Sequence, residues 1–216
     1  MNRNDVLQRI RALGVVPVVR AQSGQEALQL VDALRQGGID VIELTMTVPD
    51  AVEIIRELTR AQPNAVIGAG TVLDSETARA CILAGAKFVV SPATDEPTIA
   101  LCRTYGVPMM AGALTPTEVV RAWRAGSDMV KVFPCGAVGG ASYLKALKAP
   151  LPQVELVPTG GVSLETAAEF IAAGASALGA GADLADVKKL RAGEPGYITD
   201  RARRYLQEVA KARAKA

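Results

Sequence analysis

Apolar residues run along this chain in short, nearly unbroken blocks, and between the blocks they recur at helical spacing. Blocks rich in β-branched residues occupy 15–19, 39–45, 65–69, 87–91, 107–110, 128–132, 154–157 and 176–179, with starts about 20 to 26 residues apart. The segments between them read as amphipathic helices, as with Ala27, Leu28, Val31 and Leu34, or Val119, Val120 and Trp123. Strands written as continuous apolar runs are covered on both faces, and their alternation with helices predicts a parallel sheet. Eight βα units in 216 residues predict an α/β fold, a (β/α)8 TIM barrel. A doubly wound open sheet is the alternative.

A weak internal repeat agrees with the barrel. Gly38-Ile39-Asp40-Val41, Gly85-Ala86-Lys87-Phe88, Gly126-Ser127-Asp128-Met129 and Gly174-Ala175-Ser176-Ala177 each follow a helical pattern and lead into a strand. Glycine there supplies the left-handed residue that ends a helix. No long Gly/Ser/Pro linker interrupts the series, so residues 1–216 are expected to form one domain, with a basic helix at about 197–216. That tail carries Arg201, Arg203, Arg204, Lys211, Arg213 and Lys215, which suit a solvated helix better than a nucleic-acid patch.

Composition narrows the chemistry. The chain is 50% hydrophobic with a net charge of +2, and its aromatic content of 4% offers no stacking platform for bases. The segment Met1-Asn2-Arg3-Asn4-Asp5 lacks the apolar core of a signal peptide, and no apolar run reaches membrane-spanning length. Cys81, Cys102 and Cys135 are widely spaced, suggesting neither a disulfide framework nor zinc, and fit reduced thiols of a cytoplasmic protein. Cys81 and Cys102 read as small helix residues. The histidine count is zero. That removes Ser-His and Cys-His nucleophile pairs, His-ligated zinc and histidine acid–base catalysis.

In a (β/α)8 barrel the active site is built at the C-terminal ends of the strands. Read in order, those ends carry Arg20, then Glu43 with Thr45 and Thr47, Gly68-Ala69-Gly70-Thr71, Ser91-Pro92, Gly112, Lys131 with Phe133-Pro134, Pro158-Thr159-Gly160-Gly161, and Gly179-Ala180-Gly181. Lys131 lies within an apolar strand block, where burial disfavours an ammonium and favours the free amine that a Schiff-base nucleophile requires. Glu43 is the available proton carrier. The two could instead form a buried ion pair that only satisfies itself. Arg20 suits a bidentate grip on a substrate carboxylate, or is a rim arginine paired with a surface acid. The Gly-rich ends of the last two strands are where this fold commonly holds phosphate.

Six motifs in register make a resemblance specific: Val18-Val19-Arg20, Ile42-Glu43-Leu44-Thr45, Gly68-Ala69-Gly70-Thr71-Val72, Val90-Ser91-Pro92, Lys131-Val132-Phe133-Pro134 and Val157-Pro158-Thr159-Gly160-Gly161-Val162. Spread over nearly the whole chain, they resemble the KDPG/KHG aldolase family of class I aldolases, which act on 2-keto-3-deoxy-6-phosphogluconate (KDPG) and 4-hydroxy-2-oxoglutarate (KHG). The resemblance implies a carbon–carbon lyase, a homotrimer, a small keto-acid substrate, and no metal or organic cofactor. It makes Lys131 the Schiff-base lysine and Glu43 the general acid/base. Thr71 and Arg20 would hold the pyruvate carboxylate, and Pro92 and Phe133 would line the pocket. Gly160, Gly161, Gly181 and Ala182 would hold the phosphate, and Thr159 resembles the gluconate-type members. A galactonate-epimer (KDPGal) aldolase and a non-catalytic barrel used as an assembly subunit are the alternatives.

Two positions depart from the pattern. Some members carry an arginine where this chain has Thr47, and Arg20 looks like the substitute used by others. Many have a serine where this chain has Ala182. Loss of that hydroxyl removes a hydrogen bond worth roughly 1.5–3 kcal/mol to a charged acceptor.

Overall fold

The computed structural model describes residues 1–215, so position 216 of the expected tail helix lies outside the described residues. Helix α1 (Arg3–Leu13) precedes eight strands: β1 (Val15–Val19), β2 (Val41–Thr45), β3 (Val66–Gly70), β4 (Val89–Val90), β5 (Met109–Ala113), β6 (Met129–Val132), β7 (Leu156–Pro158) and β8 (Leu178–Ala180). Between them run α2 (Gly24–Gln36), α3 (Ala51–Ala61), α4 (Ser75–Ala84), α5 (Glu96–Thr104), α6 (Pro116–Ala125), α7 (Gly140–Lys148) and α8 (Ala167–Ala172). The chain closes with α9 (Val187–Arg191) and α10 (Pro195–Arg213). All strand pairs are parallel, in the order β7-β6-β5-β4-β3-β2-β1-β8. Isolated bridges Leu156↔Ala175 and Thr159↔Gly179 join the ends, giving the expected (β/α)8 barrel. The four repeat glycines, Gly38, Gly85, Gly126 and Gly174, all have φ between 94° and 108°, the left-handed conformation that ends a helix at little steric cost.

Strand alternation builds the barrel in layers, because residues two apart share a face. The outer layer packs helices on strands. The inner layer fills the lumen with Val16, Val41, Val66, Phe88, Val90, Met110, Met129 and Val157. Val6, Leu7 and Ile10 of α1 join this inner cluster and plug its N-terminal end. Helix α1 starts at a capping box between Asn2 and Asp5. It is held to the barrel by Arg3–Asp128 (2.6 Å), the bidentate Arg11–Glu155 pair (2.8 and 2.7 Å) and Arg9–Asp40.

Helix α10 lies across α2 and α8 and buries Ile198, Ala202, Tyr205 and Val209. Arg203, Arg204 and Lys211 face solvent, whereas Arg201 turns inward to Asp183. The three cysteines are buried and unpaired. Burial pushes the thiols of Cys81 and Cys135 up to about 11 and that of Cys102 to about 12, so they stay protonated and unreactive at neutral pH. Among the described residues no helix is long and apolar enough to cross a membrane.

Candidate active site

The alternation that puts valine and methionine low in the lumen puts the polar side chains directly above them. Glu43 stands two residues past Val41, Lys131 two past Met129, and Thr159 two past Val157. All three are at most 5% exposed. Lys131 Nζ lies 3.7 Å from Glu43 Oε1, and both side chains are only 4% exposed. Glu43 Oε1 makes no hydrogen bond among the described residues. The Lys131–Glu43 contact is therefore an ion pair without a hydrogen bond, and a buried carboxylate oxygen left without a donor costs about 1–3 kcal/mol.

Room for this pair comes from absent side chains. Gly68, Gly70, Gly112 and Gly179 occupy the strand positions beside it. A Cβ on Gly70 would overlap the Glu43 carboxylate, and one on Gly179 would overlap the Thr159 hydroxyl. A Cβ on Gly112 would strike the backbone of Pro92. Lys131 Nζ sits 5.5 Å from the centre of the Phe133 ring, so one side of the amine faces an apolar wall. A cavity of about 270 Å³ opens between Pro92, Gly112 and Phe133. Larger grooves, such as the one at Pro116, Val120 and Arg124, run over the outer helices, and neither that groove nor the cavity is lined by Lys131 or Glu43.

The other expected residues lie around the same C-terminal rim. Thr71 follows β3 with φ 58°, a left-handed conformation that is strained for a β-branched residue and marks sites where surroundings over-determine the backbone. Gly160 and Gly161 follow β7 with φ 84° and 77°. Gly161 packs against Gly136, in the single 3-10 turn Cys135–Val138 after β6. The backbone N–H groups of Gly161, Gly181 and Ala182 donate to no backbone carbonyl among the described residues. Arg20 is exposed, and its Nη1 lies 3.4 Å from the place a Cβ on Gly181 would take. Its guanidinium therefore leans over the loop after β8.

Thr47 has a limited role here. The Thr45 hydroxyl gives its one proton to the Val19 carbonyl (3.0 Å), so in the 2.7 Å contact between the two threonines Thr47 must be the donor. Thr47 is left able only to accept and cannot replace an arginine as a carboxylate ligand. Among the described residues no group of three or more side chains is arranged to hold a metal ion. Sequence reasoning passed over Asp183, two residues beyond Gly181; an acid so near an expected anion site was the available signal.

A parallel eight-stranded barrel whose C-terminal mouth buries one lysine beside one glutamate, over an apolar floor, defines a barrel enzyme of the lyase class. Comparison with known proteins makes the assignment definite. A family model for KDPG and KHG aldolase matches residues 6–200, and the chain belongs to that family. The 2-dehydro-3-deoxy-phosphogluconate aldolase of Treponema pallidum is 35% identical over 205 residues, covering 95% of this chain and 96% of its own. Among solved structures, a KDPGal structure in its native form is 32% identical with TM-score 0.85, covering 94% of this chain and 97% of that one. The KDPG aldolase of Legionella pneumophila, with pyruvate captured as a covalent carbinolamine, is 28% identical with TM-score 0.85 and covers 92% and 96%.

Proposed function

We propose that this protein is a class I aldolase that cleaves KDPG to pyruvate and glyceraldehyde 3-phosphate. One observation carries the reading: Lys131 Nζ and Glu43 Oε1 stand 3.7 Å apart, buried, at the catalytic end of the barrel. The carbinolamine in the Legionella pneumophila relative supports the same chemistry here. The Lys131 amine attacks the C2 ketone, and Glu43 protonates the carbinolamine hydroxyl, which leaves as water. The resulting iminium draws in the C3–C4 bonding electrons. Glu43, directly or through water, takes the C4 hydroxyl proton, the aldehyde departs, and an enamine remains on Lys131. Protonation at C3 and hydrolysis of the imine release pyruvate and restore the amine. The iminium is the electron sink, so the steps call on no metal or organic cofactor.

Thr71 and the neighbouring backbone suit the pyruvate carboxylate, and Pro92 and Phe133 suit its methyl end. Gly160, Gly161, Gly181 and Ala182 suit the phosphate through their backbone N–H groups. The lean of Arg20 over Gly181 favours an anion at that end over the carboxylate end. Thr159 favours the gluconate epimer, while likeness to the KDPGal structure keeps the galactonate epimer as the second reading. Leu83, Tyr105 and Trp123 are exposed on α4, at the end of α5 and on α6, which supports burial of that face in a homotrimer. The cytoplasm is the compartment proposed.

A pyruvate-release assay on KDPG, KDPGal and KHG tests the assignment. The expected order places KDPG first, with no turnover of any substrate by Lys131→Ala. Equal turnover by that variant would end the proposal.

A further inference from the structure

We propose that Asp183, clamped by Arg201 and Tyr205 of α10, is a positioning residue that sets the loops after β7 and β8 and so confers preference for a phosphorylated substrate. The inference rests on the reading above that these loops hold the substrate phosphate.

Asp183 makes four hydrogen bonds, and together they join three parts of the molecule. Its Oδ2 accepts from the N–H of Leu164 (3.1 Å) and from the Tyr205 hydroxyl (2.5 Å). Its Oδ1 accepts from Arg201 Nη2 (2.5 Å), and its backbone carbonyl accepts from Arg201 Nε (2.8 Å). Leu164 lies on the loop that begins at Gly160 and Gly161, while Asp183 lies on the loop that begins at Gly181. One carboxylate therefore fixes the spacing between the two loops, and α10 fixes the carboxylate. Tyr205 is fully buried. Burial, reinforced by the bond to Asp183, holds its phenol well above the usual range, so it remains a donor throughout the working pH.

The arrangement also answers an electrostatic problem. A carboxylate two residues from Gly181 would repel a phosphate unless its charge were balanced. Arg201 balances it with a guanidinium only 12% exposed. Anchoring α10 would need only the bonds from Arg201 and Tyr205. The bond to Leu164 is the one that ties the second loop in, and it gives the cluster a consequence at the mouth.

The test uses the full chain and compares steady-state kinetics on KDPG with the rate of borohydride trapping by pyruvate, which carries no phosphate. The double variant Asp183→Ala with Arg201→Met removes every side-chain bond of the clamp without changing net charge. It is expected to raise KM for KDPG about tenfold, a size typical of a misplaced binding group, with kcat within about twofold. Its pyruvate trapping rate should match the wild type. Tyr205→Phe, which keeps the ring in the core, should raise the same KM by about threefold, a smaller form of the same misplacement. Arg201→Met alone should bind KDPG more weakly than the double variant, since it leaves an uncompensated carboxylate near the phosphate. Unchanged KM in the double variant, or equal losses in KDPG turnover and pyruvate trapping, would overturn the proposal. Failure of the wild type to trap pyruvate would instead overturn the aldolase reading itself.

Discussion

Gly70 has no side chain, yet it decides where the Glu43 carboxylate can stand. A methyl group there would occupy the space of Glu43 Oε1, across the β2–β3 ladder in which Thr45 pairs with Gly70. Gly70→Ala is therefore expected to leave the fold intact and cut kcat by on the order of 100-fold, the cost of a catalytic group misplaced by about an ångström. A kcat within twofold of wild type in steady-state assays would show that Glu43 does not act from the position seen. Lys131 and Glu43 were legible in the sequence because charged residues stand out within apolar strand blocks. Gly70 was not, because its importance depends on which residue lies across the ladder. Asp183 was hidden for the same reason: its partners, Leu164, Arg201 and Tyr205, come from distant segments.

At the level of elements, apolar blocks located the eight strands and matched β1 at both ends, but missed at least one end of each of the others. The block at 107–110 foretold a strand that instead runs Met109–Ala113. In its second half, Ala111-Gly112-Ala113, Gly112 shares the lumen face with Met110 and pairs with Lys131, while Ala111 and Ala113 pack outward in the layer under the helices. The block at 87–91 shrinks to Val89–Val90, and the eighth strand is Leu178–Ala180 where 176–179 was expected. Helix α1 was not foreseen, although the Asn2–Asp5 capping box was readable. Its Ile10 is fully buried in the lumen cluster, at the end of the barrel away from the site. Ile10→Ala should cost about 2–5 kcal/mol by urea denaturation while leaving kcat within twofold. A large loss of kcat in the folded variant would mean that the plug also shapes the site.

The whole molecule separates stability from chemistry along the barrel axis. Ion pairs and α1 close the N-terminal end, an apolar layer fills the middle, and the polar residues gather at the C-terminal mouth. Exposed Leu83, Tyr105 and Trp123 lie on the outer wall, and light scattering on the purified protein should report a trimer; a monomer at micromolar concentration would remove that assignment. The proposed chemistry rests on an imine at one lysine. Incubation with pyruvate and borohydride, followed by peptide mass spectrometry, should place a single reduced adduct on Lys131 and none in Lys131→Ala. No adduct in the wild type, or an adduct on another lysine, would show that the buried pair at the barrel mouth is not the catalytic centre.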